Sequence, residues 1–186
     1  LELFRRELAL LRAMPPAPYR PPLLAAYDDG DWVALILNNV DGAYPDMTSE
    51  RDVDAVLTTV LSQTSELTPV PPGAQVPAIG ETVARWQLRW QNILANPAVY
   101  LPQWAADTAE ALAVCVGRLA TQVAPTTLCH FDIRNDNLLI TQRGDAVIFD
   151  WGMARAGPAW VDLAMLAVQL PTAAGGDGLL REHLPA

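Results

Sequence analysis

Lysine is absent from all 186 residues, so each of the twelve basic side chains is an arginine. That excludes Schiff-base chemistry and any phosphate grip that depends on a lysine amine. Cysteine is nearly as scarce: Cys115 and Cys129 have no CxxC partner, which excludes a disulfide framework or a thiolate metal site and makes a reducing cytoplasm the expected setting. The two histidines, His130 and His183, are too few and too far apart for a zinc hydrolase cluster. Long apolar runs and a basic leader are missing, so neither a membrane span nor a secretory signal is expected. Charged residues make up only 18%, with a net charge of −9, which disfavours nucleic acid as a partner. What the chain has in quantity is hydrophobic side chains, 51% of the total, enough for a buried core. It opens at Leu1 inside an amphipathic pattern and closes at Ala186 soon after another, so both ends read as cut.

The elements follow from periodicity and punctuation. Leu1, Phe4, Leu8 and Leu11 predict a helix with one buried stripe, stopped by Pro15-Pro16. Leu23 to Tyr27 and Trp32 to Leu37, joined by Asp28-Asp29-Gly30-Asp31, predict an antiparallel hairpin. Asn38-Asn39-Val40-Asp41-Gly42 then reads as a hinge, dividing the chain into residues 1–42 and 43–186. A helix follows from Thr48 onward, carrying Val53, Val56, Leu57, Val60 and Leu61 on one face. After the proline-rich connector 68–77 come helices over Glu81 to Leu94 and Pro102 to Val123. Leu138 to Ile140 and Ala146 to Phe149 flank the turn Arg143-Gly144-Asp145 as a second hairpin, and Val161 to Leu170 reads as a buried helix.

The chemistry concentrates in His130-Phe131-Asp132-Ile133-Arg134-Asn135-Asp136-Asn137 and in Asp150, which ends the second strand of that hairpin. The spacing puts one carboxylate on a loop, an amide oxygen five residues later, and a second carboxylate that the hairpin brings back. Asn137 and Asp150 are oxygen donors of the kind Mg²⁺ takes while keeping substrate phosphates in its other positions. Asp132, left off the metal, suits the acceptance of a proton from an attacking hydroxyl.

His130-x-Asp132-x-x-x-x-Asn137 with Asp150-Trp151 resembles the catalytic loop and metal-binding strand of aminoglycoside phosphotransferase-like small-molecule kinases, which share the protein-kinase architecture. Leu3 to Met14 is similar to that family's first large helix, with Glu7 at its ion-pair glutamate. Leu23 to Gly42 resembles the next two strands and hinge, and Gly157-Pro158 with Asp162-Leu163-Ala164 the downstream motif. The resemblance implies an α+β, protein-kinase-like fold: a partial amino-terminal lobe of helix plus β-hairpin, then a mostly helical carboxy-terminal lobe with a catalytic-loop hairpin. It implies ATP and Mg²⁺ as cofactors, Asp132 as catalytic base, Asn137 and Asp150 as metal ligands, and the backbone of Leu37, Asn38, Asn39 and Val40 against adenine. Arg134 would neutralise charge on the transferring phosphoryl group. The acceptor would be a small-molecule hydroxyl, with a cationic one agreeing with the charge of −9.

Departures from that family leave a second reading open. A nucleotide-covering loop and strand lysine upstream of the Glu7 helix are not in this chain, and Phe131 stands where glycine is common. A catalytically silent, kinase-like nucleotide-binding or scaffold protein is the alternative. For individual residues, the bland roles are a packed, hydrogen-bonded His130, a structural Cys129, an Asp162 that caps a helix or braces the catalytic loop, and core packing by Trp86 and Trp90.

Overall fold

The computed structural model describes residues 1–170. Helix α1 (Glu2–Ala13) ends where Met14 turns extended ahead of Pro15-Pro16. Its buried stripe differs from the expected one: Leu1 and Phe4 are more than half exposed, and Glu7, Leu8, Leu10 and Met14 are buried. The stripe is displaced by one residue, about 100° around the helix, because α1 packs on the turn Trp151–Met153 as well as on the hairpin beside it.

That hairpin joins β1 (Leu23–Asp28) to β2 (Val33–Leu37), antiparallel with Asp28 opposite Val33. The Asp29 carboxylate accepts from the N–H groups of Asp31 and Trp32 at 3.1 and 2.8 Å, closing the turn locally. Arg5 of α1 donates to both Asp28 oxygens at 3.0 and 2.9 Å, tying helix to hairpin.

After this hairpin, β3 (Gly42–Ala43) pairs with β5 (Leu138–Thr141), which pairs with β6 (Ala146–Ile148), all antiparallel. Glycine is required at 42, since a Cβ there would lie 2.6 Å from the Ile140 carbonyl oxygen. Helix α2 (Glu50–Glu66) buries Val56, Val60 and Gln63. Then come α3 (Ile79–Ala95), α4 (Pro97–Tyr100), α5 (Gln103–Ala106) and α6 (Ala109–Leu119). The single helix expected over 102–123 is therefore interrupted at Asp107-Thr108. There Thr108 Oγ1 donates back to the carbonyls of Trp104 and Ala105, and Asp107 accepts from Gln103, local bonds that compete with helix continuation.

Two three-residue strands escaped the sequence pattern: β4 (Thr127–Cys129) and β7 (Arg155–Gly157) pair antiparallel, with Cys129 opposite Arg155. Helix α7 (Val161–Gln169) closes the described chain. Leu10, Val56, Val60, Leu138, Ile148 and Trp151 meet in the main core, while Ile79, Val83, Cys129 and Val161 form a second cluster under α3. The mixed α and β architecture is the expected one.

Candidate active site

The loop between β4 and β5 is held from below by a buried polar frame. Asp162, at the start of α7, accepts from the backbone N–H groups of His130 and Phe131 at 2.7 and 2.9 Å and from Gln63 Nε2 at 2.7 Å. Burial pushes its pKa up, and those three donors, with the nearby imidazole, work the other way. His130 is fully enclosed: Nε2 bonds the Phe149 carbonyl at 3.0 Å, Nδ1 accepts from the Asp132 N–H at 3.3 Å, and the ring sits edge-on to Trp151. Burial pushes its pKa down, so the imidazole is a neutral strut. Both residues occupy the supporting positions expected of them, and Cys129 is buried as expected.

Above this frame Asp132 and Asn137 meet. Asn137 is buried, and its Nδ2 donates to both the carbonyl and the Oδ2 of Asp132, each at 2.9 Å. Its Oδ1 accepts no hydrogen bond among the described residues, which leaves one oxygen available beside an oriented carboxylate. Asp132 retains 24% side-chain exposure and lies 3.6 Å from Arg134 Nε through Oδ1. Arg134 also bonds Asp136 at 2.6 Å, so its exposed cation is shared by two carboxylates.

Asp150 arrives by the β5–β6 pairing. Leu138 faces Ile148, and the Phe149 N–H donates to the Asn137 carbonyl at 3.1 Å, so Asp150 emerges at the Asn137 end of the hairpin. Its φ of 63° is left-handed, as is that of Phe131 at 64°, two non-glycine outliers, one directly before Asp132 and the other at Asp150 itself. The Asp150 side chain is exposed and accepts no hydrogen bond among the described residues. Directly after it, the Trp151 N–H donates to Glu7 Oε1 at 3.2 Å.

Glu7 is thus no solvated helix charge. It is buried, without a cation in ion-pair range among the described residues, and its pKa is raised by desolvation first and by the Asp150 charge in addition. The ion-pair role suggested by the resemblance has no partner here; its observed contact is with the backbone that follows Asp150. In the segment expected to form a hinge, Leu37 lies in β2 and the Asn38 N–H donates to the Pro22 carbonyl, while the backbone groups of Asn39 and Val40 make no hydrogen bond among the described residues. Asn38, Asn39 and Val40 also line a cavity of about 760 Å³ with Arg20 and Arg143, and this cavity includes none of Asp132, Asn137 and Asp150.

Three contributors were not legible beforehand: Gln63, which reaches Asp162 from 99 residues away; the Glu7 contact to Trp151; and Arg155, the lone charge in the small-residue run Ala154–Gly157. Only the last left a local signal, a charged residue where packing calls for none.

The model of the phosphotransferase enzyme family matches residues 1–183. No curated protein matches the chain in sequence. Among solved structures, an aminoglycoside phosphotransferase from Alicyclobacillus acidocaldarius is 13% identical with a TM-score of 0.62, covering 97% of this chain and 60% of its own. Choline kinase LicA from Streptococcus pneumoniae is 15% identical, TM-score 0.64, covering 98% and 62%. ADP-bound aminoglycoside phosphotransferase APH(2'')-Ib is 17% identical, TM-score 0.61, covering 98% and 67%. At these identities the likeness is one of fold, and the chain spans about 60% of the length of the first two.

Proposed function

Since the chain belongs to the phosphotransferase enzyme family, we propose that it carries the phosphoryl-transfer centre of a kinase that moves the γ-phosphate of ATP to a hydroxyl of a small molecule. The observation that carries this reading is the Asn137 amide: its nitrogen orients Asp132 while its oxygen stays available at the end of the hairpin where Asp150 emerges.

The donor set fits Mg²⁺. The described residues contain no group of three or more His, Cys, Asp and Glu side chains able to hold a metal alone. One amide oxygen and one carboxylate are what Mg²⁺ takes when substrate phosphates and water complete its shell. Bound there by Asn137 and Asp150, it would supply charge neutralisation for the phosphates. Asp132 would accept the proton of the attacking hydroxyl, its carboxylate held in place by Asn137 and its backbone by His130. Arg134 would add positive charge beside it, and the backbone groups of Asn39 and Val40, unpaired among the described residues, with Leu37 and Asn38 leading into them, would bond the adenine edge. An ADP-bound relative of the same fold supports nucleotide use. The division into residues 1–42 and 43–186 would then separate the adenine-side lobe from the catalytic one, in a protein working in the reducing cytoplasm.

A second reading, a nucleotide binder without turnover, is favoured by one observation: Glu7 has no cation partner among the described residues. Two measurements separate the readings. Thermal stabilisation by MgATP together with acceptor-stimulated ADP formation is the outcome expected of the kinase, and Asp132→Ala should abolish the second while keeping the first. ADP formation that survives Asp132→Ala would remove Asp132 from the role of base.

A further inference from the structure

Against the ring of Phe131, the residue before Asp132, lies a buried cation whose hydrogen-bonding capacity is mostly unspent. Arg155 is only 9% exposed, in a strand buried throughout. Its Nη1 donates to the carbonyls of Met153 and Ala154 at 3.1 and 3.0 Å, and its Cζ sits 5.8 Å from the centre of the Phe131 ring. Nε is enclosed without a partner, Nη2 makes no hydrogen bond, and no carboxylate lies in ion-pair range, all among the described residues. A guanidinium has five N–H donors in a planar fork, and burying one without an anion is costly.

The surroundings add positive charge. Arg6 on α1 and Arg85 on α3 are near enough for their charges, after burial itself, to push the Arg155 pKa down, and Glu81 is the one acid that opposes them. Neither Arg6 nor Arg85 has an ion-pair partner among the described residues; Arg85 donates to the Thr82 hydroxyl at 3.2 Å. Three arginines with a single opposing acid repel one another, an arrangement that an incoming anion relieves.

The place is set by strand register. Arg155 faces Cys129, directly ahead of His130-Phe131-Asp132, and its guanidinium caps the ring of the residue adjoining Asp132. Trp86 of α3 stacks near that ring, with centroids 6.4 Å apart and planes at 23°, completing an aromatic wall. We propose that Arg155, aided by Arg6 and Arg85, is an anion subsite that holds a carboxylate or phosphate group carried by the hydroxyl acceptor. Naming the bound molecule as the acceptor rests on the kinase reading; the anion site itself does not. The subsite reverses the expectation drawn from net charge, because whole-chain charge governs encounter at long range whereas close contacts select the bound group.

The test uses the full chain and four probes that share a hydroxyl and differ in charge: glycerate, glycerol 3-phosphate, glycerol and choline. Thermal shift should rise with at least one anionic probe and not with glycerol or choline; the glycerate and glycerol 3-phosphate arms tell carboxylate from phosphate. Arg155→Gln should weaken that binding at least about tenfold, the loss expected for charge-assisted hydrogen bonds. Should Arg155→Gln not fold, Arg6→Ala and Arg85→Ala carry the same expectation at more exposed positions. Anion binding unchanged in these variants, or a preference for choline, overturns the subsite. Acceptor-stimulated ADP formation separates the two claims. Turnover with choline but no arginine-dependent anion binding retains the kinase and rejects the subsite. Arginine-dependent anion binding without any turnover retains the subsite and rejects the kinase.

Discussion

Asp162 is the residue on which the His130–Asn137 loop hangs. Its carboxylate satisfies two consecutive backbone N–H groups and a buried amide, so Asp162→Ala leaves three donors without partners. The expected loss is about 3–5 kcal/mol, read as a shifted urea midpoint. His130 sets a pH dependence. Its folded pKa is depressed by burial, while in the unfolded chain it takes a proton below about pH 6.5, so the stability it supports is complete above that value and lost as pH falls through it toward the lower folded value. Between pH 7.5 and 5.5 the urea midpoint should therefore fall, and fall less in His130→Gln, where Asp162 is retained in both chains. Glu7 acts through an oxygen that accepts the Trp151 N–H. On the proposed kinase reading, Glu7→Gln preserves an acceptor and should keep most of kcat, whereas Glu7→Leu should lower kcat about tenfold or more at unchanged fold. Equal losses in both would instead point to the carboxylate charge.

At the scale of elements, α1 connects the hinge-side hairpin to the turn after Asp150. Leu10 is fully buried in the main core with Val56, Val60 and Trp151, and Leu10→Ala should cost about 2–5 kcal/mol, measured by chemical denaturation. Much of this level was legible. Both hairpins and the helices α1, α2 and α7 sit within a few residues of where alternation, 3.6-residue spacing and Pro or Gly punctuation put them. The pair β4–β7 was not, because three-residue strands carry no alternation and exist only through partners far along the chain. Nor was the direction of the α1 stripe: Leu1, Leu3 and Phe4 are apolar yet exposed, since Glu7 and Leu10 face the Trp151 turn.

Across the whole molecule burial is uneven. In α6 only Ala109 is buried, and in α3 only Ile79 and Val83, whereas α2 contributes Val56 and Val60 to the main core. Local opening follows buried contact, so backbone amides of α6 should exchange with deuterium well before those of α2. Comparable protection in both helices would contradict that order. The two thiols differ in the same way: Cys115 is exposed and Cys129 buried, with its pKa raised by desolvation. Iodoacetamide should label Cys115 in the native chain and reach Cys129 only on unfolding. No helix among the described residues is long and apolar enough to cross a membrane.

Local chemistry, written in order along the chain, determined the loop His130 to Asn137, the hairpin that returns Asp150, and the helices that flank them, because spacing and turn residues act over a few positions. Only the tertiary structure decided which groups meet: Asp162 under the loop, Glu7 on the Trp151 amide, Gln63 from the far side of the core, and Arg155 beside Phe131. Those pairings depend on the packing of elements 24 to 144 residues apart, as between Arg155 and Phe131 or Trp151 and Glu7, and no local pattern encodes a contact at that separation.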